Sequence, residues 1–313
     1  MSRADPIEWT DAHVHVVDFL QRRGDVGDLV EAMLGSGVTH AVVFGIPVKK
    51  RWATSEPLAP GYYLDDNAPC HYHSLTDVIT LDVLQQCDGR VRMAPLICGF
   101  DPTDLMVREH LDAMWERSRA WAGVGEVMLR HDDLTNLTDG ETPVADHPAM
   151  DEVADFCRDT DVPVTVHHDS SSPGRPDAHE FVPEFERLLG RHPRTRVVWA
   201  HAGVSRRVES TEQIRVVDDL LSRHTELYVD LSWTVLDHIV DRDGPGAAVD
   251  SRWLELICRR ADRFVVGSDT VGRADMFEAR VGRIQSLLRT LPQTVAKAVA
   301  VDNASALWFR PGS

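Results

Sequence analysis

The feature that most constrains the fold of this chain is an alternation of short apolar segments with longer amphipathic ones, repeated eight times along 313 residues. The short segments are apolar and rich in β-branched residues, as in Val197-Val-Trp199 and Phe264-Val-Val266. Such runs are typical of parallel strands that are covered on both faces. The predicted strands are residues 8–14, 39–46, 92–98, 123–129, 164–168, 196–200, 226–231 and 263–267. The predicted helices are residues 28–34, 76–87, 104–117, 148–158, 181–191, 211–222, 252–259 and 276–291.

Eight strand-then-helix units are the requirement of a (β/α)8 barrel. The alternative is a doubly wound open sheet, which the same alternation permits, but no Gly-x-Gly-x-x-Gly follows any predicted strand. Length alone would also suit two domains of roughly 150 residues, although barrels of about 250 residues or more form one domain. We therefore predict the α/β class, with one TIM-barrel domain over residues 1–313.

Three connections are long for a compact barrel, namely residues 47–75, 130–147 and 169–180. All three leave the C-terminal ends of predicted strands, where barrel active sites form. The first contains a group of Tyr and His residues that includes Tyr72, so we interpret it as a cover over a substrate site.

Histidine is abundant, at 15 residues, and two of the histidines are paired in the first strand. Since side chains alternate between the faces of a strand, His13 and His15 project the same way. Two imidazoles at this spacing can chelate one divalent ion. A His-x-His pair alone is weak evidence for a metal site.

Three further strands end in residues that bind metals. His167 ends the fifth strand, His201 follows the sixth and Asp269 follows the eighth. A buried, hydrogen-bonded histidine or a helix-capping aspartate explains any one of them. It does not easily explain four strand ends that converge on imidazole and carboxylate, the ligand set that suits zinc and related ions.

This pattern resembles the amidohydrolase superfamily of metal-dependent barrels. The closing segment Asp302-Asn-Ala-Ser-Ala-Leu-Trp-Phe309 is similar to the end of its amidohydrolase-2 branch, which also includes non-oxidative decarboxylases. The resemblance covers the chain from His13 to Phe309. It implies a TIM barrel that hydrolyses its substrate with a metal-activated water, and it implies that His13, His15, His167 and Asp269 bind the metal.

The resemblance leaves the number of ions open at one or two. With one ion, His201 would polarise the substrate or move protons; with two, it would bind the second ion. The fourth strand, Gly123-Val-Gly-Glu-Val-Met-Leu129, is similar to the Gly-Glu strand of the TatD-like deoxyribonucleases, in which the Glu bridges two ions. Members of the superfamily that bridge two ions through a carboxylated lysine carry that lysine on this strand. Here lysine occurs only at Lys49, Lys50 and Lys297, so Glu126 is the candidate bridge. The alternative is that Glu126 is a structural carboxylate. Zinc is the predicted metal, with manganese or iron as alternatives.

The chemistry that follows assigns Asp269 as the group that takes a proton from water and passes it to the leaving group. His201, or a second ion, would stabilise the developing oxyanion. Candidate substrate contacts are Arg130, His131, Arg206, Trp233 and Tyr72. Each arginine could instead pair with one of the 50 acidic residues.

We therefore predict a hydrolase of a small-molecule amide, lactone, ester or cyclic imide. The alternatives are a metal-dependent decarboxylase of an aromatic or unsaturated carboxylic acid, and a barrel without catalysis. The formal charge of −17 argues against binding of nucleic acid or an anionic membrane. No apolar stretch resembles a membrane span or a secretory signal, which predicts a cytoplasmic enzyme. The sequence is compatible with a homo-oligomer.

Overall fold

A parallel sheet with helices packed around it forms the framework of the molecule. The computed structural model describes residues 5–61, 68–208, 210–240 and 248–309. Within these ranges the strands are β1 (Trp9–His15), β2 (Val38–Phe44), β3 (Val48–Lys50), β4 (Cys70–Tyr72), β5 (Arg92–Ile97), β6 (Gly123–Met128), β7 (Val164–His167), β8 (Val197–Trp199), β9 (Leu227–Leu231), β10 (Phe264–Val266) and β11 (Thr270–Val271).

The helices lie between the strands along the chain. They are α1 (Val26–Gly35), α2 (Leu75–Gln86), α3 (Val107–Arg117), α4 (Pro148–Asp159), α5 (Val182–Arg191), α6 (Gln213–Arg223), α7 (Thr234–Ile239), α8 (Ser251–Arg259), α9 (Ala274–Thr290), α10 (Gln293–Lys297) and α11 (Asn303–Trp308). Short 3₁₀ turns occur at Thr135–Leu137, Ala200–Gly203 and Ala261–Arg263, and a π turn at Ala298–Asp302. Among the described helices, none has the length and apolar composition that crossing a membrane requires.

The sheet closes into a barrel because its last strand pairs on both sides. Strands follow the order β10-β9-β8-β7-β6-β5-β2-β1-β11, all in parallel. β10 bonds to β9, while β11, which continues the same eighth strand, bonds to β1. Between them the Asp269 amide donates to the His13 carbonyl at 2.9 Å. At Gly267 an added Cβ would lie 2.6 Å from the His13 Cβ, so only glycine permits this close approach. The predicted TIM barrel is confirmed, and the open-sheet alternative is wrong.

Two apolar layers stabilise the barrel. The outer layer packs the strands against the helices. The inner layer fills the barrel with side chains such as Phe44, Leu96 and Val198, and it includes Trp308 and Phe309 from the end of the chain. The aromatic ring of Phe309 contacts His40 at the start of β2, at the end of the barrel opposite the strand ends that carry His167 and His201. The closing segment of the sequence is therefore a plug for the barrel interior.

The predicted strands and helices are each present, with boundaries displaced by a few residues. The antiparallel pair β3–β4 was not predicted, because each strand has only three residues. The six-residue helix α7 and the short helices that follow α9 were not predicted either. β3 and β4 belong to the predicted cover; residues 62–67 of that connection lie outside the described residues.

Candidate metal centre

The side chains that the sequence predicted as ligands meet at the C-terminal mouth of the barrel. Five of them are at most 3% exposed, and the Asp269 side chain is 14% exposed. They are His13 and His15 on β1, Glu126 on β6, His167 at the end of β7, His201 after β8 and Asp269 after β10. The parallel order of the strands brings together residues that are far apart in the sequence.

An irregularity in β6 turns Glu126 into the mouth. The register between β6 and β7 shifts between Val124 and Val127, so both valines pack in the outer apolar layer and Glu126 faces inward. Gly125 makes this possible because it has a φ of +135°, and an added Cβ would lie 2.5 Å from the Thr165 carbonyl oxygen. In the Gly-Glu pair seen in the sequence, the backbone thus requires the glycine, and the chemistry of the site requires the glutamate.

Three strand ends use a backbone conformation that L-residues rarely adopt. His201, Trp233 and Asp269 have φ values of 55°, 52° and 52°, in the left-handed region. Such a conformation costs about 1–2 kcal/mol per residue and is concentrated at functional sites. The sharp turn ends the strand and directs each of these side chains toward the mouth of the barrel.

One group of atoms forms around the Nε2 atoms of His13 and His15. Asp269 Oδ1 lies 3.4 Å from His13 Nε2 and 3.3 Å from His15 Nε2. Glu126 Oε2 lies 3.7 Å and 3.5 Å from the same two nitrogens. Ligands at about 2.0–2.1 Å from a tetrahedral zinc are separated by about 3.3 Å, so the spacing fits one ion.

The second group forms around the other oxygen of Glu126. Oε1 lies 3.2 Å from His167 Nδ1 and 3.4 Å from His201 Nε2. This spacing also fits ligands of one ion. Glu126 therefore presents one oxygen to each group.

A hydrogen-bonded aspartate orients two of the imidazoles. His13 Nδ1 donates to Asp230 Oδ2 at 2.8 Å. Ser232 Oγ donates to the same oxygen at 2.6 Å and therefore accepts from His201 Nδ1 at 2.8 Å. With Nδ1 protonated in both rings, the lone pairs of the two Nε2 atoms are available toward the centre.

The other two imidazoles are oriented separately. His15 Nδ1 donates to the Gly45 carbonyl at 2.8 Å, which leaves its Nε2 as an acceptor. His167 is reversed, because its Nε2 donates to Asp169 Oδ1 at 3.1 Å and its Nδ1 faces Glu126. Each of the four rings thus has one fixed donor and one nitrogen directed at the centre.

The chemistry of this donor set fits a bound cation. The nitrogens and oxygens that converge are all acceptors when the rings are neutral, and His13 Nε2 is buried without a hydrogen-bond partner among the described residues. Without an ion, protons take its place. Burial lowers the pKa of His13, but Glu126 and Asp230 raise it well above its usual value. Burial also opposes protonation of His167, yet Asp169 and Glu126 raise its pKa to about 10.

The pKa values of the carboxylates are shifted in the opposite direction from those of the imidazoles. Burial raises the pKa of Glu126, but the charge and hydrogen bond of His13, with hydrogen bonds from His167 and His201, hold it well below its usual value. Partial burial also raises the pKa of Asp269, but its hydrogen bond with His15 and the charges of the neighbouring imidazoles lower it to about 2. Both carboxylates are therefore ionised at neutral pH, the state in which they bind metal.

A cavity of about 60 Å³ lies beside this centre. His131 and Trp233, both predicted as substrate contacts, line it. The His131 ring stacks on His167 at 4.1 Å, and its Nδ1 accepts from the Asp133 amide, which places the proton on Nε2. Burial and the nearby His167 lower the pKa of His131 well below its usual value, so the ring is neutral. The apolar part of the wall consists of Phe19, Met128, Leu134, Val271 and Met276.

The other predicted substrate contacts do not line this cavity. Arg130 makes a two-point ion pair with Glu184 on α5, at 3.0 and 2.6 Å. Arg206 is half exposed and pairs with Asp133. Tyr72 packs beside the apolar wall without reaching the cavity. A substrate role for these three residues remains a prediction without support from the geometry, because both arginines pair with carboxylates and none of the three lines the cavity.

Sequence reasoning missed three residues that belong to the site. Asp169 and Asp230 orient the predicted ligands, and Arg280 on α9 lines the cavity. Asp230 had a signal in the sequence, since it is a charged residue in the otherwise apolar run Leu227–Leu231. Arg280 had none, because it lies within an amphipathic helix among other charged residues.

Comparison with known proteins agrees with this geometry. The profile of the amidohydrolase-2 family, described as amidohydrolase, matches residues 10–310. The chain belongs to the amidohydrolase family. It is an enzyme of the amidohydrolase type, and the family relationship extends from β1 to the C-terminal plug. The likeness of the fourth strand to TatD-like proteins remains a prediction. No curated protein sequence matches the chain.

Solved structures resemble this amidohydrolase over nearly its whole length. A dihydroorotase from Campylobacter jejuni is 14% identical with a TM-score of 0.57, over 97% of this chain and 84% of that one. A probable 2-pyrone-4,6-dicarboxylic acid hydrolase from Acinetobacter baumannii, with citric acid bound, is 13% identical with a TM-score of 0.59, over 97% and 100%. An amidohydrolase from Burkholderia multivorans with bound zinc is 14% identical with a TM-score of 0.57, over 97% and 100%. At this identity the likeness shows the fold.

Proposed function

We propose that this amidohydrolase is a hydrolase of a small molecule and that it works with two divalent ions, zinc in the first instance, sharing Glu126. One observation carries the proposal: the two oxygens of Glu126 face two separate groups of ligand atoms. Oε2 faces His13 and His15 together with Asp269, and Oε1 faces His167 and His201. A carboxylate with only a structural role would need hydrogen-bond donors. It would not need a separate group of ligand atoms around each of its oxygens.

Divalent ions bound here would lower the pKa of a coordinated water to about 7 and polarise a substrate carbonyl. Asp269 supplies the proton transfer. Its Oδ1 faces the two histidines of β1, and its carboxylate also lines the cavity, where it can accept a proton from water and donate it to the leaving group.

His131 would orient the substrate. Its neutral ring holds a proton on Nε2, because the Asp133 amide occupies Nδ1. A fixed N–H donor at the cavity wall can bond to the substrate carbonyl oxygen and to the negative charge that develops on it. His201 belongs to the ligand set in this arrangement, through its Nε2, and a separate proton-transfer role for it would apply only to a centre with one ion.

The substrate would be an amide, lactone, ester or cyclic imide. These compounds share a carbonyl carbon that water can attack, and Phe19, Met276 and Trp233 offer an apolar surface for the rest of the molecule. The cavity of about 60 Å³ holds no more than a small fragment, so a larger substrate requires the connections around the mouth to open. Among the described residues, no specific contact favours a decarboxylase over a hydrolase.

A substrate panel distinguishes these functions. We expect zinc-loaded protein to hydrolyse at least one class among lactones, amides, esters and cyclic imides, measured by acid release at constant pH. Aromatic and unsaturated carboxylic acids should release no CO2. Release of CO2 without hydrolysis in the rest of the panel would replace the hydrolase by the decarboxylase.

The variant Asp269→Asn tests the assignment of the proton carrier. Asparagine keeps an oxygen toward His13 and His15 but does not accept a proton from water, so we expect kcat to fall by about 10²–10⁴-fold. The zinc content, measured by plasma emission spectrometry, should fall much less than kcat. The control is Asp275→Asn, which changes an exposed carboxylate on α9. Wild-type turnover in Asp269→Asn would contradict the assignment.

A further inference from the structure

Arg280 is the cationic side chain of the cavity wall. It lies on α9 and lines the cavity together with Asp269, His131, Trp233 and Met276. Among the described lining residues, it is the only lysine or arginine. Its side chain is 23% exposed, so it is accessible from the cavity without being fully hydrated.

The hydrogen bonds of Arg280 leave most of its donors available. Nη1 contacts the Trp233 carbonyl at 3.5 Å and the two oxygens of Asp237 at 3.4 Å each. These distances exceed the 2.7–3.2 Å of ordinary N–H···O bonds, so the contacts are weak. Nε and Nη2, the edge that binds an oxyanion through two parallel bonds, make no hydrogen bond to any described residue.

A purely structural role for Arg280 is already filled by its neighbour. Arg283, one turn further along α9, forms an ion pair with Asp237 at 3.0 Å and so also links α9 to α7, at a shorter distance than Arg280. Arg283 does not line the cavity. The two arginines therefore share a helix and an acidic partner but differ in their access to the site.

We propose that Arg280 determines specificity by binding an anionic group, a carboxylate or a phosphate, on the substrate. The substrate is then a small molecule with two functional ends, a hydrolysable carbonyl at the centre formed by Glu126 and Asp269, and an oxyanion at Arg280. The proposal rests on the proposed hydrolase function. It narrows the substrate class to anionic lactones, amides, esters or imides.

Metal-binding probes with the same hydroxamate and different second ends test this subsite. Propionohydroxamate carries a hydroxamate on a neutral chain, succinomonohydroxamate adds a carboxylate, and phosphonoacetohydroxamate adds a phosphonate. Binding to the zinc-loaded protein is measured by calorimetry. We expect one of the anionic probes to bind about 10–100-fold more tightly than the neutral one, as charge-assisted hydrogen bonds provide. The better of the two identifies the oxyanion.

The variants connect that preference to Arg280. In Arg280→Met and Arg280→Gln the preference for the anionic probe should disappear. The affinity for the neutral propionohydroxamate should stay within about twofold of the wild-type affinity, which shows that the metal centre is intact. Arg280→Lys should retain part of it, since lysine keeps the charge and loses the two-point geometry. The matched control Arg283→Met should keep the full preference.

The outcomes separate this inference from the function on which it rests. Tight binding of all probes without an anionic preference in the wild type, or a preference that survives in both Arg280→Met and Arg280→Gln, would overturn the Arg280 subsite and leave the metal centre in place. A wild-type protein that binds zinc but none of the hydroxamates would overturn the accessible metal centre and the subsite with it.

Discussion

At the scale of single residues, Asp230 connects the two groups of candidate ligands. One of its oxygens accepts from His13 directly and from Ser232, which in turn accepts from His201. A single buried carboxylate therefore fixes the proton positions of a histidine in each group. Residues that orient metal-binding imidazoles in this way contribute substantially to metal affinity.

The variant Asp230→Asn tests this connection. If its amide nitrogen takes the place of Oδ2, an N–H faces the His13 and Ser232 donors, so we expect zinc affinity to fall by about 10–100-fold. Competition with a chromogenic chelator measures the affinity, and far-ultraviolet circular dichroism checks the fold. Ser232→Ala should weaken only the binding that depends on His201. Unchanged affinity in Asp230→Asn would show that the rings are oriented without it.

His168 shows how the residue beside a ligand has a different role. It follows His167, but its ring points out of the barrel, donates to the Phe181 carbonyl at 2.9 Å and stacks on Phe185. Burial lowers the pKa of His168 from 6.5 to about 4. The alternation of side chains along β7 separates the two neighbouring histidines into a candidate ligand and a core residue.

This pKa shift predicts a dependence of stability on pH. Above pH 6.5 His168 is neutral in both the folded and the unfolded state, so its burial does not make stability depend on pH. As the pH falls from 6.5 to about 4, the unfolded chain binds a proton that the folded protein does not, so the free energy of unfolding falls by an amount on the order of 3 kcal/mol. In His168→Gln, the free energy of unfolding is measured in urea at several pH values. Its slope against pH should be smaller than in the wild type, by as much as the uptake of one proton. An identical slope would contradict the shift.

At the scale of elements, β6 is the strand on which the site depends most. Its glycine at 125 produces the register shift that turns Glu126 inward. The sequence predicted the strand and the glutamate, since both follow from a local pattern. It did not predict the shift, because that depends on the approach of Thr165 from the neighbouring strand.

Replacing this glycine should disturb both stability and the site. In Gly125→Ala a Cβ 2.5 Å from the Thr165 carbonyl, with φ at +135°, forces the two strands apart. We expect the free energy of unfolding in urea to fall by about 2–4 kcal/mol, with loss of zinc affinity. Gly190→Ala on α5 is the matched control, because its Cβ would meet no atom within 4 Å. It should leave stability unchanged or raise it by up to about 1 kcal/mol. Equal effects of the two substitutions would contradict the described packing of β6.

At the scale of the whole molecule, the barrel and the convergence of the candidate ligands could be predicted from the sequence, while the layer of residues around them could not. His13 and His15 lie on one strand, and His167, His201 and Asp269 come at or just after a strand end, so simple rules of alternation and parallel topology bring these candidates together. Glu126 lies within β6 and reaches the same place through the register shift. The contact between His13 and Asp230 spans 217 positions, and no local pattern indicates it. Arg280 depends on how α9 packs over the mouth. Cytoplasmic location and assembly into an oligomer remain predictions from the sequence.

The central claim is that Glu126 joins two ions in one centre, and counting the ions tests it most directly. Protein is loaded with zinc, freed of excess ion by gel filtration and measured by plasma emission spectrometry against quantitative amino-acid analysis. We expect two zinc ions per chain in the wild type and one or fewer in Glu126→Ala, since each group loses an oxygen ligand. The control Glu184→Ala changes a glutamate outside the centre and should keep two. One ion per chain in both the wild type and Glu126→Ala would contradict the claim.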